Sequence, residues 1–282
     1  MDPKTPSKDW PGYDALRYLF VFGDSYSSVG YQPHEKPKEE TPLGVEFPGD
    51  TWVEDQKPNW VGHLINKYYP KGPLLVYDYA VGGNDIDGMR RQIQKYRQPG
   101  SPGHPDSEEC WQGNNSLFVT WIGFNDVASP ALNIQAAVDV VFQLQEDLYD
   151  SGARNFLFMT IAPLPRASGG QRSLFQDRED RCKTWNETLT SRAQNEFAQA
   201  HPDASIFVFD ARSVFEKMLT DPVKYGFSEQ AGRGYDQEMY WDVIHPTTAV
   251  NRIVAKAVAD FLAGESVAED QPEKFSSPSQ GT

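Results

Sequence analysis

The residues best able to do chemistry sit near opposite ends of the chain. Tyr18-Leu-Phe-Val-Phe-Gly-Asp-Ser25 is an unbroken apolar run that stops abruptly in small and polar residues. That pattern predicts a buried parallel strand delivering a side chain at its carboxyl end, where open α/β sheets place their ligands. Ser25 is therefore a candidate nucleophile, although a hydroxyl attacks well only when a base takes its proton. The far segment Asp242-Val-Ile-His245-Pro offers that base. A carboxylate three residues ahead of a histidine can hold the imidazole in one tautomer while its other nitrogen reaches the serine. Of the remaining histidines, His34 and His104 fall in loops, His63 on a helix and His201 at a helix end. None forms a metal-ligand pair, so neither a metal nor another cofactor is expected.

Attack on an ester carbonyl builds negative charge on its oxygen, and that charge needs donors aimed at it. Two further stretches at predicted strand ends could supply them. Gly82-Gly83 would let the backbone approach a substrate closely, and Asn125, in Gly123-Phe-Asn125-Asp126, offers a neutral side-chain donor. Alone, each stretch is an ordinary turn.

Together, Gly23-Asp24-Ser25, Gly82-Gly83, Gly123-Phe-Asn125-Asp126 and Asp242-Val-Ile-His245 resemble, in order and spacing, the four blocks of the GDSL or SGNH hydrolases. The texture around them, including Pro42-Leu-Gly and Asn59-Trp60-Val61-Gly62, is similar to that of the fungal acetylesterases of carbohydrate esterase family 16. The resemblance spans most of residues 15 to 264. It implies a Ser25, Asp242 and His245 triad and an oxyanion hole made by the N–H groups of Ser25 and Gly83 and the amide of Asn125. Alignment of the second block prefers Gly83 to Gly82. Asp24 and Asp126 read as supports, Asp24 by capping a helix after Ser25 or by fixing the turn, Asp126 by anchoring the loop of Asn125. The chain departs from the family pattern at Asp78, where many relatives carry Asn.

These residues must be positioned by alternating strands and helices. Apolar runs predict strands ending at Ser25, at Ala80, at Ile122, at Ile161 and at Phe209. Helical spacing predicts helices capped by Asn59 and ending before Pro70, through Ile86 to Tyr96, through Ile134 to Leu148 with Gly152 near its stop, over 182 to 200, through Val214 to Leu219, and from Pro246 through Phe261. The fold expected is a three-layer α/β/α sandwich with a five-stranded parallel sheet, SGNH hydrolase-like and flavodoxin-like. Ser28 to about Lys57 is too long for an ordinary connection and should lie over the sheet's carboxyl edge. A loop runs to Asp180 and another from Tyr225 to Tyr240. Residues 1–14 form an irregular lead-in, 15–264 one catalytic domain, because nucleophile and base must meet, and 265–282 a disordered tail.

Composition limits the partners. The 282 residues hold 26 Lys and Arg against 40 Asp and Glu, a formal charge of −14, which argues against nucleic acid or an anionic membrane surface. No apolar run is long enough to span a bilayer. Met1-Asp-Pro-Lys lacks the features of a signal peptide, so the chain is either cytosolic or mature with the signal removed. The resemblance favours secretion, and a monomer is expected. Cys110 and Cys182 are either one disulfide or two free thiols. Asn114-Asn-Ser and Asn186-Glu-Thr are glycosylation sequons.

Tyr26, Trp52, Phe124 and Trp241, with Tyr31, Trp111 and Tyr240, lie in or beside the expected rim loops, where aromatic faces could stack on sugar rings. No loop has the continuous apolar surface that a lipid would favour. The reading is thus a secreted serine esterase acting on an acetylated oligosaccharide or other small ester. A broader short-chain esterase or lysophospholipase is the enzymatic alternative, and a carbohydrate-binding surface protein the non-enzymatic one. The latter should have lost a catalytic side chain, and none is lost here.

Overall fold

Parallel strands buried on both faces need apolar residues at every position, and five such runs build this sheet. The structure is a computed structural model that describes residues 6–163, 172–232 and 237–265. Strands β1 (Tyr18–Gly23), β2 (Leu75–Asp78), β3 (Ser116–Trp121), β4 (Asn155–Met159) and β5 (Ser205–Phe209) lie in the order β2-β1-β3-β4-β5. Every neighbouring pair is parallel. The register sets Phe20 opposite both Tyr77 and Phe118. Their rings stack at 5.1 Å and 4.5 Å, so one aromatic row ties the three strands that carry the site.

Helices α1 (Trp60–His63), α2 (Ile86–Tyr96), α3 (Ile134–Asp150), α4 (Arg172–Arg192), α5 (Ala198–Ala200), α6 (Ala211–Thr220) and α7 (Thr248–Gly264) lie between and after the strands, with short 3₁₀ turns in the connections. Wide π-turns continue α1 through Leu64–Tyr68 and join α4 to α5 through Ala193–Phe197. α1 packs with α7, while α2, α3 and α4 pack in succession. This is the expected three-layer architecture. The chain direction across the sheet reverses between β1 and β3, the crevice where doubly wound sheets take ligands. Ser25 follows β1 and Asn125 follows β3.

Asn59 caps α1 as expected, accepting from the N–H groups of Val61 and Gly62 at 3.0 and 3.2 Å. Its amide also donates to the carbonyls of Ser27 and Ser28 at 2.6 and 3.0 Å, so one side chain starts the helix and clamps the turn after the nucleophile. Gly152, at φ 110°, follows the end of α3 where a glycine stop was expected.

Two expectations are corrected. α4 begins at Arg172, within the loop expected to run to Asp180, because Arg172 to Arg181 is rich in helix-forming charged residues yet shows no apolar stripe. Pro246 does not open the last helix: it pairs in an isolated antiparallel bridge with Tyr240, and Thr247 is the residue before α7. The lead-in is packed. Trp10 is fully buried against Phe207, with ring centroids 4.7 Å apart, and its indole N–H donates to the Glu265 carbonyl at 3.2 Å. Residues 1–5, 164–171, 233–236 and 266–282 lie outside the described residues, and with them most of the expected tail. Among the described residues, no helix is long and apolar enough to cross a membrane.

Candidate active site

The turn that presents Ser25 is built from its neighbours. At Gly23 a β-carbon would come within 2.5 Å of the Trp121 carbonyl oxygen, so only glycine lets β1 and β3 meet there. Asp24 Oδ1 accepts from the Tyr26 N–H at 3.0 Å, and its carbonyl accepts from Ser27 and Ser28 at 3.1 Å each. Of the two roles expected for Asp24, the structure shows the second: it fixes the turn, and no helix follows Ser25.

Across the cleft, Asp242 organises its own segment. Its Oδ1 accepts from the N–H groups of Ile244 and His245 at 2.8 and 2.7 Å, leaving Oδ2 to face His245 Nδ1 at 2.6 Å. Burial pushes the Asp242 carboxyl up, but hydrogen bonds from the His245 ring and from the two backbone N–H groups outweigh it and hold the group below its ordinary range. A carboxylate only accepts, so Nδ1 carries the hydrogen and Nε2 is free to accept. His245 Nε2 lies 2.8 Å from Ser25 Oγ, with both residues buried. Residues far apart in the chain thus form one continuous relay. Tyr26 ties its two halves: its hydroxyl donates to the Ile244 carbonyl at 2.7 Å.

The oxyanion candidates converge on the same end of the sheet. Among the described residues, the N–H groups of Ser25 and Gly83 have no hydrogen-bond partner, which leaves them available to a substrate oxygen. Gly83 has φ 76° and nothing within 4 Å of a β-carbon position, whereas Gly82 lies directly beneath the Trp52 indole. The Asn125 amide donates to the Asn84 carbonyl at 2.8 Å, which fixes its orientation and leaves its second hydrogen for a ligand. Asp126 anchors this loop to the second block by accepting from the Ile86 N–H at 3.1 Å. Burial raises the Asp126 carboxyl to about 6 and the Asp24 carboxyl to about 7, the Asp126 charge adding to the rise at Asp24.

The rim is narrower than expected. Trp52, 45 % exposed, lies over His245 with ring centroids 5.1 Å apart. Trp241 is half-buried beside them and donates its indole N–H to the Trp52 carbonyl at 2.9 Å. Tyr26 and Phe124, expected at the rim, are instead buried floor residues, their rings 5.1 Å apart. Tyr31 and Tyr240 are buried, and Trp111 packs on Phe20 and Phe118. A loop has no periodicity that tells an inward aromatic from an outward one.

Two further expectations change. Cys110 and Cys182 are free thiols, the first exposed and the second buried, so no disulfide joins them. Asn186 is buried and uses its amide twice on Ile161, accepting from the N–H at 2.8 Å and donating to the carbonyl at 2.9 Å. That sequon is closed to a glycan, while Asn114 is exposed. Among the described residues, no group of three His, Cys, Asp or Glu side chains could hold a metal.

Sequence reasoning missed Gln92, Asn84 and Glu54. Glu54 accepts from the Thr248 N–H at the start of α7, at 3.0 Å, holding the loop that carries Trp52 against the histidine segment. Gln92 left one signal: a polar residue on the apolar face of α2, between Met89 and Tyr96.

Comparison with known proteins gives the chain's relatives. The chain is 28% identical over 277 residues to an acetylesterase of Thermothelomyces thermophilus, covering 89% of each. It is 25% identical to the thermolabile hemolysin of Vibrio parahaemolyticus, over 88% of this chain and 64% of that one. The crystal structure of an acetylxylan esterase from Geobacillus stearothermophilus superposes with a TM-score of 0.54 at 15% identity, over 92% of this chain and 100% of that one, a likeness of fold. The family model for GDSL-like lipase/acylhydrolases matches residues 19–258, and the chain belongs to that family of ester hydrolases.

Proposed function

We propose that this chain is a secreted, monomeric serine esterase that removes acetyl groups from carbohydrates such as acetylated xylo-oligosaccharides. The observation that carries the reading is the unbroken relay from Ser25 Oγ to His245 Nε2 at 2.8 Å and from His245 Nδ1 to Asp242 Oδ2 at 2.6 Å. In the proposed reaction Ser25 Oγ attacks the acetyl carbonyl while its proton passes to His245 Nε2. Asp242 stabilises the imidazolium, and the N–H groups of Ser25 and Gly83 with the Asn125 amide hold the oxyanion. Collapse returns the proton to the departing sugar oxygen and leaves an acetyl-enzyme. A water, deprotonated by His245, then attacks the acetyl carbonyl, and collapse breaks the Ser25 Oγ–acyl bond, with the proton passing from His245 to Oγ as acetate leaves.

The leaving alcohol must lie where His245 can protonate it, so groups beside the imidazole ring contact the alcohol and not the acyl chain. Trp52 is such a group, and its half-exposed indole suits the C–H face of a sugar. The similarity to a fungal acetylesterase supports the same substrate class and an extracellular setting. The family model, for GDSL-like lipase/acylhydrolases, leaves room for a rival reading, a lipase or lysophospholipase on the same scaffold. Hydrolysis of aryl acetate, butyrate and octanoate, with acetate release from acetylated xylo-oligosaccharides, separates the two. Acetate-selective turnover is expected. A preference for octanoate with no acetate released from the oligosaccharides overturns the proposal in favour of its rival.

A further inference from the structure

Gln92 lies on α2 and is 1 % exposed. Its carboxamide makes three hydrogen bonds, using all of its donors. Oε1 accepts from the Gly23 N–H at 3.0 Å, and Nε2 donates to the Gly23 carbonyl at 2.7 Å and to Asn84 Oδ1 at 3.0 Å. Gly23 is the last residue of β1, and the paired register of β1 with β2 has already ended at Val21 and Asp78. The chain after β2 still reaches Gly23, since the Val81 N–H donates to its carbonyl at 3.3 Å, and the Gln92 amide completes the pairing by taking the Gly23 N–H and adding a second donor to that carbonyl, two residues before Ser25. Its other bond fixes Asn84, which follows Gly83 directly and whose carbonyl orients the Asn125 amide at 2.8 Å. The space for Asn84 comes from Gly88, where a β-carbon would meet the Asn84 side chain at 2.3 Å.

We infer that Gln92 is a positioning residue that sets the three oxyanion donors relative to one another, through Gly23 for the Ser25 N–H and through Asn84 for the Gly83 N–H and the Asn125 amide. The inference rests on the oxyanion roles proposed above. A carboxamide is needed, because no other side chain of this length offers one acceptor and two donors. Small displacements of donors are costly, since the interaction is made with the charge that develops in the transition state.

The test is a double-mutant cycle between Gln92→Met and Asn125→Ala, read as kcat and KM on an aryl acetate, with thermal unfolding confirming that each variant folds. Gln92→Met keeps the volume and removes all three bonds. It should lower kcat by about 10- to 100-fold, below the loss from deleting a donor outright, with KM within about twofold. The loss from Asn125→Ala should be several-fold smaller in the Gln92→Met background than in the native one, because the hole is already misaligned. Should Gln92→Met fail to fold, Asn84→Ala and Gln92→Glu serve in the same cycle. Losses that multiply independently, or a Gln92 variant that raises KM and leaves kcat unchanged, overturn the inference. Failure of the proposed function is seen separately, as a native chain without esterase activity or a Ser25→Ala variant that keeps it.

Discussion

Asp78 offers a quantitative check on the reading of the second block. Its side chain is fully buried at the end of β2, where Oδ1 accepts from the Ala80 N–H at 2.9 Å and Oδ2 has no hydrogen-bond partner among the described residues. Burial pushes its carboxyl well above the usual range, and the single hydrogen bond from Ala80 opposes this without reversing it. The folded chain therefore holds a proton that the unfolded chain releases above about pH 4. A raised folded pKa gives stability that is present below the unfolded value and is lost as pH rises towards the folded one. Each pH unit in that window costs about 1.4 kcal/mol. Asp78→Asn keeps the shape and the acceptor but cannot titrate. Relative to the native chain, it should gain stability on going from pH 5 to pH 7, by at most about 1.4 kcal/mol for each pH unit. Asp24 and Asp126 titrate in both proteins and cancel from the comparison. Denaturant unfolding of both proteins at the two pH values measures the difference. A stability difference that does not change with pH, or that turns against Asn at pH 7, refutes the reasoning.

Asp242→Asn should keep the backbone bonds to Ile244 and His245 but turn an amide NH2 towards His245 Nδ1. That forces the hydrogen onto Nε2 and should cost about 10⁴-fold in kcat on an aryl acetate at pH 7. A loss under tenfold would show that Asp242 does not set the tautomer. Trp52→Ala should raise KM for acetylated xylo-oligosaccharide while leaving hydrolysis of a small aryl acetate within a few-fold, a split visible in parallel steady-state assays. Burial pushes the Cys182 thiol up to about 12. A thiol reagent should therefore titrate one group, Cys110, in the native protein and two after unfolding without reductant. No reactive thiol in the unfolded, unreduced chain would mean that a disulfide is present after all.

Much of the site was legible because each part is local. A strand ending in Gly-Asp-Ser, a glycine pair, Asn125 after an apolar run and Asp242 three residues before His245 are short patterns, and their geometry follows from a few neighbouring backbone bonds. Asn59 could be read as a cap for the same reason. What stayed hidden depends on contacts between segments far apart in the chain. Tyr26 and Trp52 are both aromatics beside catalytic residues, yet one became floor and the other rim, according to how the histidine segment docks. The start of α4 was missed because its first turns carry charge without an apolar stripe. Asn186 reads as a sequon, but burial against Ile161 decides its accessibility. Gln92 was visible only as a polar residue on an apolar helix face, and its partners, Gly23 and Asn84, are set by the crossing of α2 behind β1.

The proposed function requires Ser25 as the nucleophile. The most direct measurement is reaction of the native protein with an aryl phosphonate that mimics the tetrahedral intermediate, followed by intact mass and peptide mapping. We expect one adduct per chain, on Ser25, with esterase activity lost in step with its formation and neither adduct nor activity in Ser25→Ala. An adduct on another residue that abolishes activity, or a Ser25→Ala protein that still turns over acetate esters at the native rate, would contradict it.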